Sequence, residues 1–344
     1  MALIREKRLT QVNLSLHVPS RAPFQLEAAA APRRCQPPPL TSSTTTPASR
    51  SSQFRLADFE RVAVLGRGNS GTVYKVRHRE TCALYALKLQ HAGDAAAAEA
   101  DLLGRVASPY VVRCHAVLAL ESASGDAALL LELADGGSLD GVMRRHGGAF
   151  PEEAVAEVAA QALSALAHLH ARRVAHLDVK PANLLATTDG DVKVADLGIA
   201  RVVAAPFAAA GAGTAAYMSP ERFDPEAHGG GCGDPFAADV WGLGVTVLEL
   251  AVGRYPLLLA GQRPSWAALM CAICFGEQPA ALVADGEASL ELRGFVAACL
   301  RKDYRKRASV AELLAHPFVA GRDVAASRRA LRRLVAEASS PPSS

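Results

Sequence analysis

The sequence lacks the features that would assign it to several specialised classes. Its 37 Lys and Arg are nearly balanced by 34 Asp and Glu, so bulk charge does not point to nucleic acid. No apolar run reaches the ~18 residues needed to cross a bilayer, and the opening MALIREKRLT lacks the apolar stretch of a secretion signal. Seven cysteines without paired spacing predict free thiols in a reducing compartment. We therefore expect a cytoplasmic protein, with the nucleus as a second compartment, that binds neither nucleic acid nor membrane.

A further absence is confined to one stretch of the chain. No Ser, Thr or Tyr lies between Asp196 and Gly213, where Ala, Gly and Val predominate. Hydroxyl side chains are the usual acceptors of regulatory phosphate. Phosphorylation of this stretch is therefore not expected to be the main regulator of the protein's activity.

The chain divides into a tail and two folded parts. Residues 19–53 are rich in Pro, Ser, Thr and Ala, so residues 1–53 are predicted to form a flexible tail. Short β-branched runs dominate residues 59–134, and helical periodicity dominates residues 135–318. This order predicts an α+β protein with a small β-rich lobe, a larger α-helical lobe and a cleft between them. Residues 319–344 are predicted to begin as a solvated basic helix and then to fray.

A glycine-rich turn joins two of the predicted strands. Its glycines allow the backbone to approach phosphates closely, and the strand that follows excludes a dinucleotide-binding fold, which requires a helix there. Val73 can cover a flat base, and Lys88 can reach phosphates if an acid such as Glu99 holds it in place. Without the glycines, Lys88 would be interpreted as a solvated lysine at a strand end. The candidate nucleotide-binding residues of this region are Leu65, Gly66, Arg67, Gly68, Asn69, Ser70, Gly71, Thr72, Val73, Ala86, Lys88 and Glu99.

The stretch HLDVKPAN, which begins at His176, carries the strongest chemical signal. Asp178 can orient an attacking hydroxyl and accept its proton, and Lys180 can neutralise a transferred phosphoryl group. Asn183 and Asp196 supply the hard oxygen atoms that Mg²⁺ prefers. These motifs, in this order and spacing, jointly predict phosphoryl transfer.

Together the motifs resemble those of the protein kinase family over residues 59–318. Ser219-Pro220-Glu221 matches the family's Ala-Pro-Glu, and Arg307 matches the arginine that pairs with its glutamate. The resemblance implies a two-lobed kinase fold that uses ATP and Mg²⁺, with a small lobe at 59–134 and a large lobe at 135–318. It also implies that the Glu132 carbonyl and the Ala134 amide face adenine.

The short tail that opens with MALIRE resembles the plant branch of the MAP kinase kinases, and four further stretches resemble that family as a whole. They are LADGGSLD from Leu133, AVGRYP from Ala251, SPYVV from Ser108 and YMSPER from Tyr217. The tail adds Lys7-Arg8 and then Leu14 and Leu16, the pattern by which these kinases dock onto MAP kinases. Cations meet an acidic patch and alternate leucines fill an apolar groove. The resemblance implies a dual-specificity enzyme with a MAP kinase as substrate and an upstream kinase or a scaffold as a further partner.

The sequence departs from the family pattern at three places. His-Arg-Asp has become His176-Leu177-Asp178, Asp-Phe-Gly has become Asp196-Leu197-Gly198, and Ala210 and Gly211 stand near the usual phosphate acceptors. In the family, the arginine of His-Arg-Asp binds the activating phosphate. Without a phosphate it would be a partly buried, unpaired cation. We therefore interpret the leucine at position 177 and the absence of phosphate acceptors near Ala210 and Gly211 as one linked change.

Two other functions remain open at the level of sequence. One is a generic serine/threonine kinase with other substrates, and the other is a pseudokinase scaffold that binds MAP kinases without transferring phosphate. A scaffold is free to lose catalytic residues, and all of the expected ones are retained here.

Overall fold

The computed structural model describes most of the chain after the tail. The described residues are 54–68, 71–90, 93–120, 126–203, 213–228, 233–259, 261–276 and 288–339. The predicted docking residues Lys7, Arg8, Leu14 and Leu16 lie outside them, as do Asn69, Ser70, Ala210 and Gly211.

A five-stranded antiparallel sheet with one helix forms the small lobe. Its strands are β1 (Phe59–Gly68), β2 (Gly71–His78), β3 (Leu84–Gln90), β4 (Cys114–Ala119) and β5 (Ala127–Leu131), in the spatial order β1-β2-β3-β5-β4. Helix α1 (Gly93–Arg105) lies between β3 and β4 in the chain. Ala96 of α1 packs against Leu129 on one face of the sheet, and Phe59 and Leu87 are buried in a separate cluster.

Helices dominate the larger lobe. They are α2 (Leu139–His146), α3 (Glu152–Ala171), α4 (Pro220–Phe223), α5 (Pro235–Val252), α6 (Trp266–Met270), α7 (Leu290–Cys299), α8 (Val310–Leu314), α9 (Pro317–Ala320) and α10 (Val324–Ser339). Short strands β6 (Gly137–Ser138), β8 (Leu184–Ala186) and β9 (Val192–Val194) form one sheet, and β7 (Val174–Ala175) pairs with β10 (Arg201–Val202). The predicted two-lobed α+β architecture is confirmed.

Helix α5 is the central helix of the large lobe. Asp234 caps its N-terminus by accepting a hydrogen bond from the Phe236 amide at 2.9 Å, and Gly253, with φ +73°, ends it. By length and composition α5 could cross a membrane, although charged residues interrupt its apolar run, but 78% of it is buried inside the protein. We therefore interpret α5 as a core helix.

Helix α10 packs on the large lobe, which differs from the solvated helix that its charge predicts. Leu331, Leu334 and Val335 are buried in the main core cluster. The Arg145 guanidinium donates a hydrogen bond from Nε to the Ala338 carbonyl at 2.8 Å. The helix therefore belongs to the folded domain.

The described cysteines bear out the expected free thiols with one exception. Cys114, Cys271, Cys274 and Cys299 are free. Cys82, by contrast, is disulfide-bonded.

Candidate active site

Lys88 and Glu99 meet at the centre of the small lobe. The Lys88 ammonium lies 2.9 Å from Glu99 Oε1, 2.8 Å from Glu99 Oε2 and 2.7 Å from Asp196 Oδ1. Lys88 lies near the C-terminal end of strand β3, and Glu99 lies in the middle of α1. One lysine thus connects the sheet, the helix and the large lobe.

Charge compensation keeps Lys88 and Asp196 ionised. Burial alone would lower the pKa of Lys88, but Glu99 and Asp196 raise it above its ordinary value. Burial alone would raise the pKa of Asp196, but the Lys88 charge and hydrogen bond hold it below its ordinary value. At neutral pH Lys88 therefore carries the positive charge that phosphate requires, and Asp196 carries the negative charge that a metal ion requires.

The glycine-rich turn fits a phosphate ligand. A Cβ added at Gly66 or Gly68 would meet nothing within 4 Å, so the fold itself does not require glycine at these positions. A Cβ at Gly71 would come within 1.9 Å of the Leu89 carbonyl oxygen, which does require it. The two open positions leave room for close approach of a ligand to the backbone. The pairing of β2 with β3 places Val73, just after this turn, opposite Lys88.

The segment after β5 links the two lobes. The Glu132 amide donates to the Arg113 carbonyl at 2.9 Å, and the Glu132 carboxylate pairs with Lys193 of β9 at 3.0 Å. Ala134 is buried, and its carbonyl accepts from the Gly137 amide at 3.1 Å. The segment is thus fixed to elements of both lobes, and adenine binding by Glu132 and Ala134 stays a prediction.

His176 and Asp239 hold the loop that carries Asp178. The Asp239 carboxylate, buried in α5, accepts hydrogen bonds from the amides of His176 at 2.8 Å and Leu177 at 2.6 Å. The Asp178 amide donates to His176 Nδ1 at 3.2 Å, so the proton of this imidazole lies on Nε2, which donates to the Ala195 carbonyl at 3.1 Å. The histidine therefore joins the loop to the residue before Asp196.

Asp178 lies at the centre of a set of donors. Its carboxylate accepts from the Lys180 ammonium at 2.6 Å, the Asn183 amide nitrogen at 3.0 Å and the Thr214 backbone amide at 2.9 Å. Lys180 also contacts the Thr214 hydroxyl. Burial alone would raise the pKa of Asp178, but Lys180 and Thr214 hold it below its ordinary value. Asp178 is therefore ionised at neutral pH and oriented from three sides.

Asn183 and Asp196 fit a divalent cation. The Ala195 amide donates to the Asn183 backbone carbonyl at 2.9 Å, beside the β8–β9 pairing, so the two residues lie next to each other. Both hydrogen bonds of the Asn183 side chain to Asp178 use its nitrogen, which directs its oxygen away from Asp178. One carboxylate and one amide oxygen suit Mg²⁺, which takes its remaining ligands from water and substrate phosphates.

Glu221 and Arg307 form a fully buried ion pair. Two parallel hydrogen bonds of 2.7 and 2.9 Å join the guanidinium to the carboxylate, and neither side chain has exposed surface. The guanidinium also donates to the Ala237 carbonyl at 2.8 Å and lies over the Trp241 ring. This geometry matches the pairing that the resemblance to the protein kinase family implies.

Both leucines that depart from the family pattern are buried. Leu177 is 4% exposed, and Leu197 is 1% exposed within the main core cluster. Each site accepts an apolar side chain without leaving an unpaired charge. Leu177 and Asp196 have φ of +68° and +63°, in the left-handed region that non-glycine residues adopt mainly at constrained sites.

The structure brings two further residues into the site. Gln90 donates a hydrogen bond to Glu99 Oε2, alongside Lys88. Residues two apart on a strand share a face, so the position of Gln90, two residues after Lys88, indicates that the two side chains lie on the same face of β3. Arg222 of α4 contacts the catalytic loop, residues 176–183, at a separation of 45 residues in the chain. Arg222 ends the YMSPER stretch, but that motif does not indicate the contact.

Comparison with known proteins agrees with this geometry. Residues 59–319 match the family described as Protein kinase domain. Mitogen-activated protein kinase kinase 9 of Arabidopsis thaliana is 42% identical over 328 residues, covering 93% of this chain and 99% of the relative. Mitogen-activated protein kinase kinase 10 of the same plant is 42% identical over 325 residues, covering 94% and 100%. The chain therefore belongs to the protein kinase family and, within it, to the mitogen-activated protein kinase kinases.

Proposed function

We propose that the enzyme transfers the γ-phosphoryl group of ATP to threonine and tyrosine side chains of a MAP kinase. The observation that carries catalysis is the assembled pair of clusters, Lys88 with Glu99 and Asp196, and Asp178 with Lys180. A scaffold without activity would not need both in working geometry. The relatives' names, which describe kinases of mitogen-activated protein kinases, support the substrate class.

The residues divide the work of the reaction. Lys88 binds phosphate oxygens, Asp178 orients the substrate hydroxyl and accepts its proton, and Lys180 neutralises the transferred group. Asn183 and Asp196 would hold Mg²⁺, which supplies charge stabilisation to the phosphates. The open glycine positions of the β1–β2 turn accommodate the nucleotide, and Glu132 and Ala134 face its base.

A direct assay tests this function. The full chain is incubated with Mg-ATP and a panel of MAP kinases that carry inactivating substitutions, and the phosphorylated residues are mapped. We expect threonine and tyrosine of one MAP kinase to be modified, and an Asp178→Asn variant to show no transfer. Phosphate on a generic substrate alone would favour a serine/threonine kinase, and binding without transfer would favour a scaffold.

The tail supplies affinity in this proposal. Lys7 and Arg8 would meet acidic side chains of the MAP kinase, while Leu14 and Leu16 fill apolar pockets. Replacing both basic residues with Glu should weaken phosphorylation of the MAP kinase and spare a generic substrate, because the tail contributes no chemistry. The charge effect should shrink at high salt, since exposed charges are screened over ~8 Å at physiological ionic strength. Equal loss on both substrates would contradict a docking role.

A further inference from the structure

Arg222 reaches the catalytic loop from the short helix α4. Its side chain is buried, with 4% of the residue exposed. The guanidinium donates a hydrogen bond from Nη1 to the Leu177 carbonyl at 2.8 Å. Leu177 directly precedes Asp178, so Arg222 binds the peptide group that leads into the catalytic aspartate.

The activation segment, residues 196–221, approaches the same carbonyl at Gly213. A Cβ added at Gly213, which has φ +109°, would lie 3.0 Å from the Leu177 oxygen and 3.6 Å from Arg222 Nη2. The next residue, Thr214, donates its amide to Asp178 at 2.9 Å. Catalytic loop, activation segment and α4 therefore meet around one oxygen atom.

The strength of the contact follows from its surroundings. A hydrogen bond from a guanidinium is roughly twice as strong as a neutral one, and here it is formed out of water. The Leu177 amide is held from another side by Asp239 at 2.6 Å. Both polar groups of a residue with φ +68° are thus fixed, which leaves Asp178 little freedom relative to the segment.

We propose that Arg222 is a positioning residue that sets the place of Asp178 through the Leu177 carbonyl and Gly213. The bond uses the backbone of residue 177, so it does not depend on which side chain stands there. It also needs no phosphate, which suits a segment without Ser, Thr or Tyr from residue 197 to residue 212. This proposal rests on the role of Asp178 in the proposed function.

Substitution of Arg222 tests the proposal. We expect Arg222→Gln to lower kcat roughly tenfold or more, while the Kd for a fluorescent ATP analogue stays within about twofold, because Lys88 and the glycine turn are untouched. Arg222→Lys, which retains one charged donor, should recover part of kcat. Arg322 provides the matched control: it donates to the Val319 carbonyl at 2.7 Å and pairs with buried Glu157 at 3.0 Å, but it lies in the C-terminal part of the large lobe. Arg322→Gln should leave kcat unchanged.

A second variant reaches the same carbonyl without changing the arginine. Gly213→Ala places a methyl group against the Leu177 oxygen and, at φ +109°, also strains the backbone there, so it should lower kcat with little change in nucleotide affinity. This variant decides the matter if Arg222→Gln fails to fold. Unchanged kcat in folded Arg222→Gln, or a loss of kcat, nucleotide affinity and thermal stability together that Arg222→Lys does not reverse, would overturn the proposal.

The substrate of the assay separates this proposal from the proposed function. Rates are measured on a MAP kinase and, in parallel, on a generic protein substrate and on water as phosphoryl acceptor. If the wild-type enzyme modifies no MAP kinase, the proposed substrate is wrong, and the effect of Arg222→Gln must still appear on the other acceptors. If the MAP kinase is modified and the variant is unimpaired, only the positioning role fails.

Discussion

The Lys88 ammonium is bound by both oxygens of Glu99, at 2.9 and 2.8 Å, so strand β3 and helix α1 are joined in the arrangement that phosphate binding requires. We expect Glu99→Gln to lower kcat roughly tenfold to hundredfold, because the lysine loses the charge that holds it. Lys88→Arg should abolish transfer, since a planar fork cannot take the place of a compact ammonium. Initial rates at saturating ATP measure both effects.

A partly exposed ion pair of the same lobe provides the control for Glu99. Arg77 and Glu60 lie 3.0 Å apart, with 38% and 21% of their side chains exposed. Glu60→Gln removes a pair whose worth is small in water and should leave kcat unchanged. A loss of activity in Glu60→Gln as large as that in Glu99→Gln would show that the assay reports the stability of the lobe.

The Glu221–Arg307 pair predicts a large effect on stability. Both side chains are fully buried, so Glu221→Gln leaves a guanidinium without its counter-charge. Breaking a buried pair in this way costs about 3–5 kcal/mol, which we expect as a fall in the free energy of unfolding in urea. Exposed Arg105, which lies 3.9 Å from Asp101, offers the comparison, and Arg105→Gln should cost less than about 1 kcal/mol. Similar values for the two variants would contradict the prediction.

Glu249 on α5 makes stability depend on pH. It accepts a hydrogen bond from the Tyr217 hydroxyl at 2.6 Å, and burial raises its pKa to about 7. A carboxyl whose pKa is raised by folding favours the folded state while it is protonated there. That contribution is complete below the pKa of the unfolded chain and is lost as the pH rises through the folded value.

Glu249→Gln tests the sign of this effect. Glutamine stays neutral and can still accept from Tyr217, so the variant should be more stable than the wild type at about pH 8, by up to about 3 kcal/mol. The difference should shrink towards about pH 5. Unfolding in urea across this range measures it, with exposed Glu153→Gln as the control. A difference that does not change with pH would mean that Glu249 is not the titrating group.

Local motifs predicted the elements of the site better than the contacts between distant segments. Lys88, Asp178 and Asp196 were recognisable because their chemistry is tied to fixed neighbours in the chain. The bond of Arg222 to Leu177 depends on how α4 folds back onto the catalytic loop, and no spacing encodes that path. Gln90, by contrast, lies two residues after Lys88, so strand alternation places both side chains on one face of β3.

Helix α10 shows a different source of error. Its buried residues Leu331, Leu334, Val335 and Ala338 recur at helical spacing, which is the pattern of a helix that packs on a core. Four arginines among them, at 328, 329, 332 and 333, favoured a solvated interpretation. Charge describes only the outer face of such a helix, so the apolar period was the better guide.

The interpretation that Leu177 and the missing phosphate acceptors are linked supports a last prediction. Ala210→Asp with Gly211→Asp should raise activity little, because buried Leu177 offers no cation to the new charges. Leu177→Arg alone should lower stability, since its charge would be buried without a partner. The protein that carries all three substitutions should be more active than the separate effects of the acidic pair and of Leu177→Arg predict, because the new carboxylates then have a cation to pair with.

A double-mutant cycle on initial rates toward one MAP kinase measures this coupling. The four proteins are the wild type, the acidic pair, Leu177→Arg and the combination, each compared at equal folded fraction. Strong activation by the acidic pair alone would mean that another cation, such as exposed Arg201 on β10, receives the charge. If the effects simply add, the leucine and the missing phosphate acceptors are independent losses. Positive coupling would instead show that the two losses are linked, because an arginine at position 177 is costly when the activation segment cannot be phosphorylated.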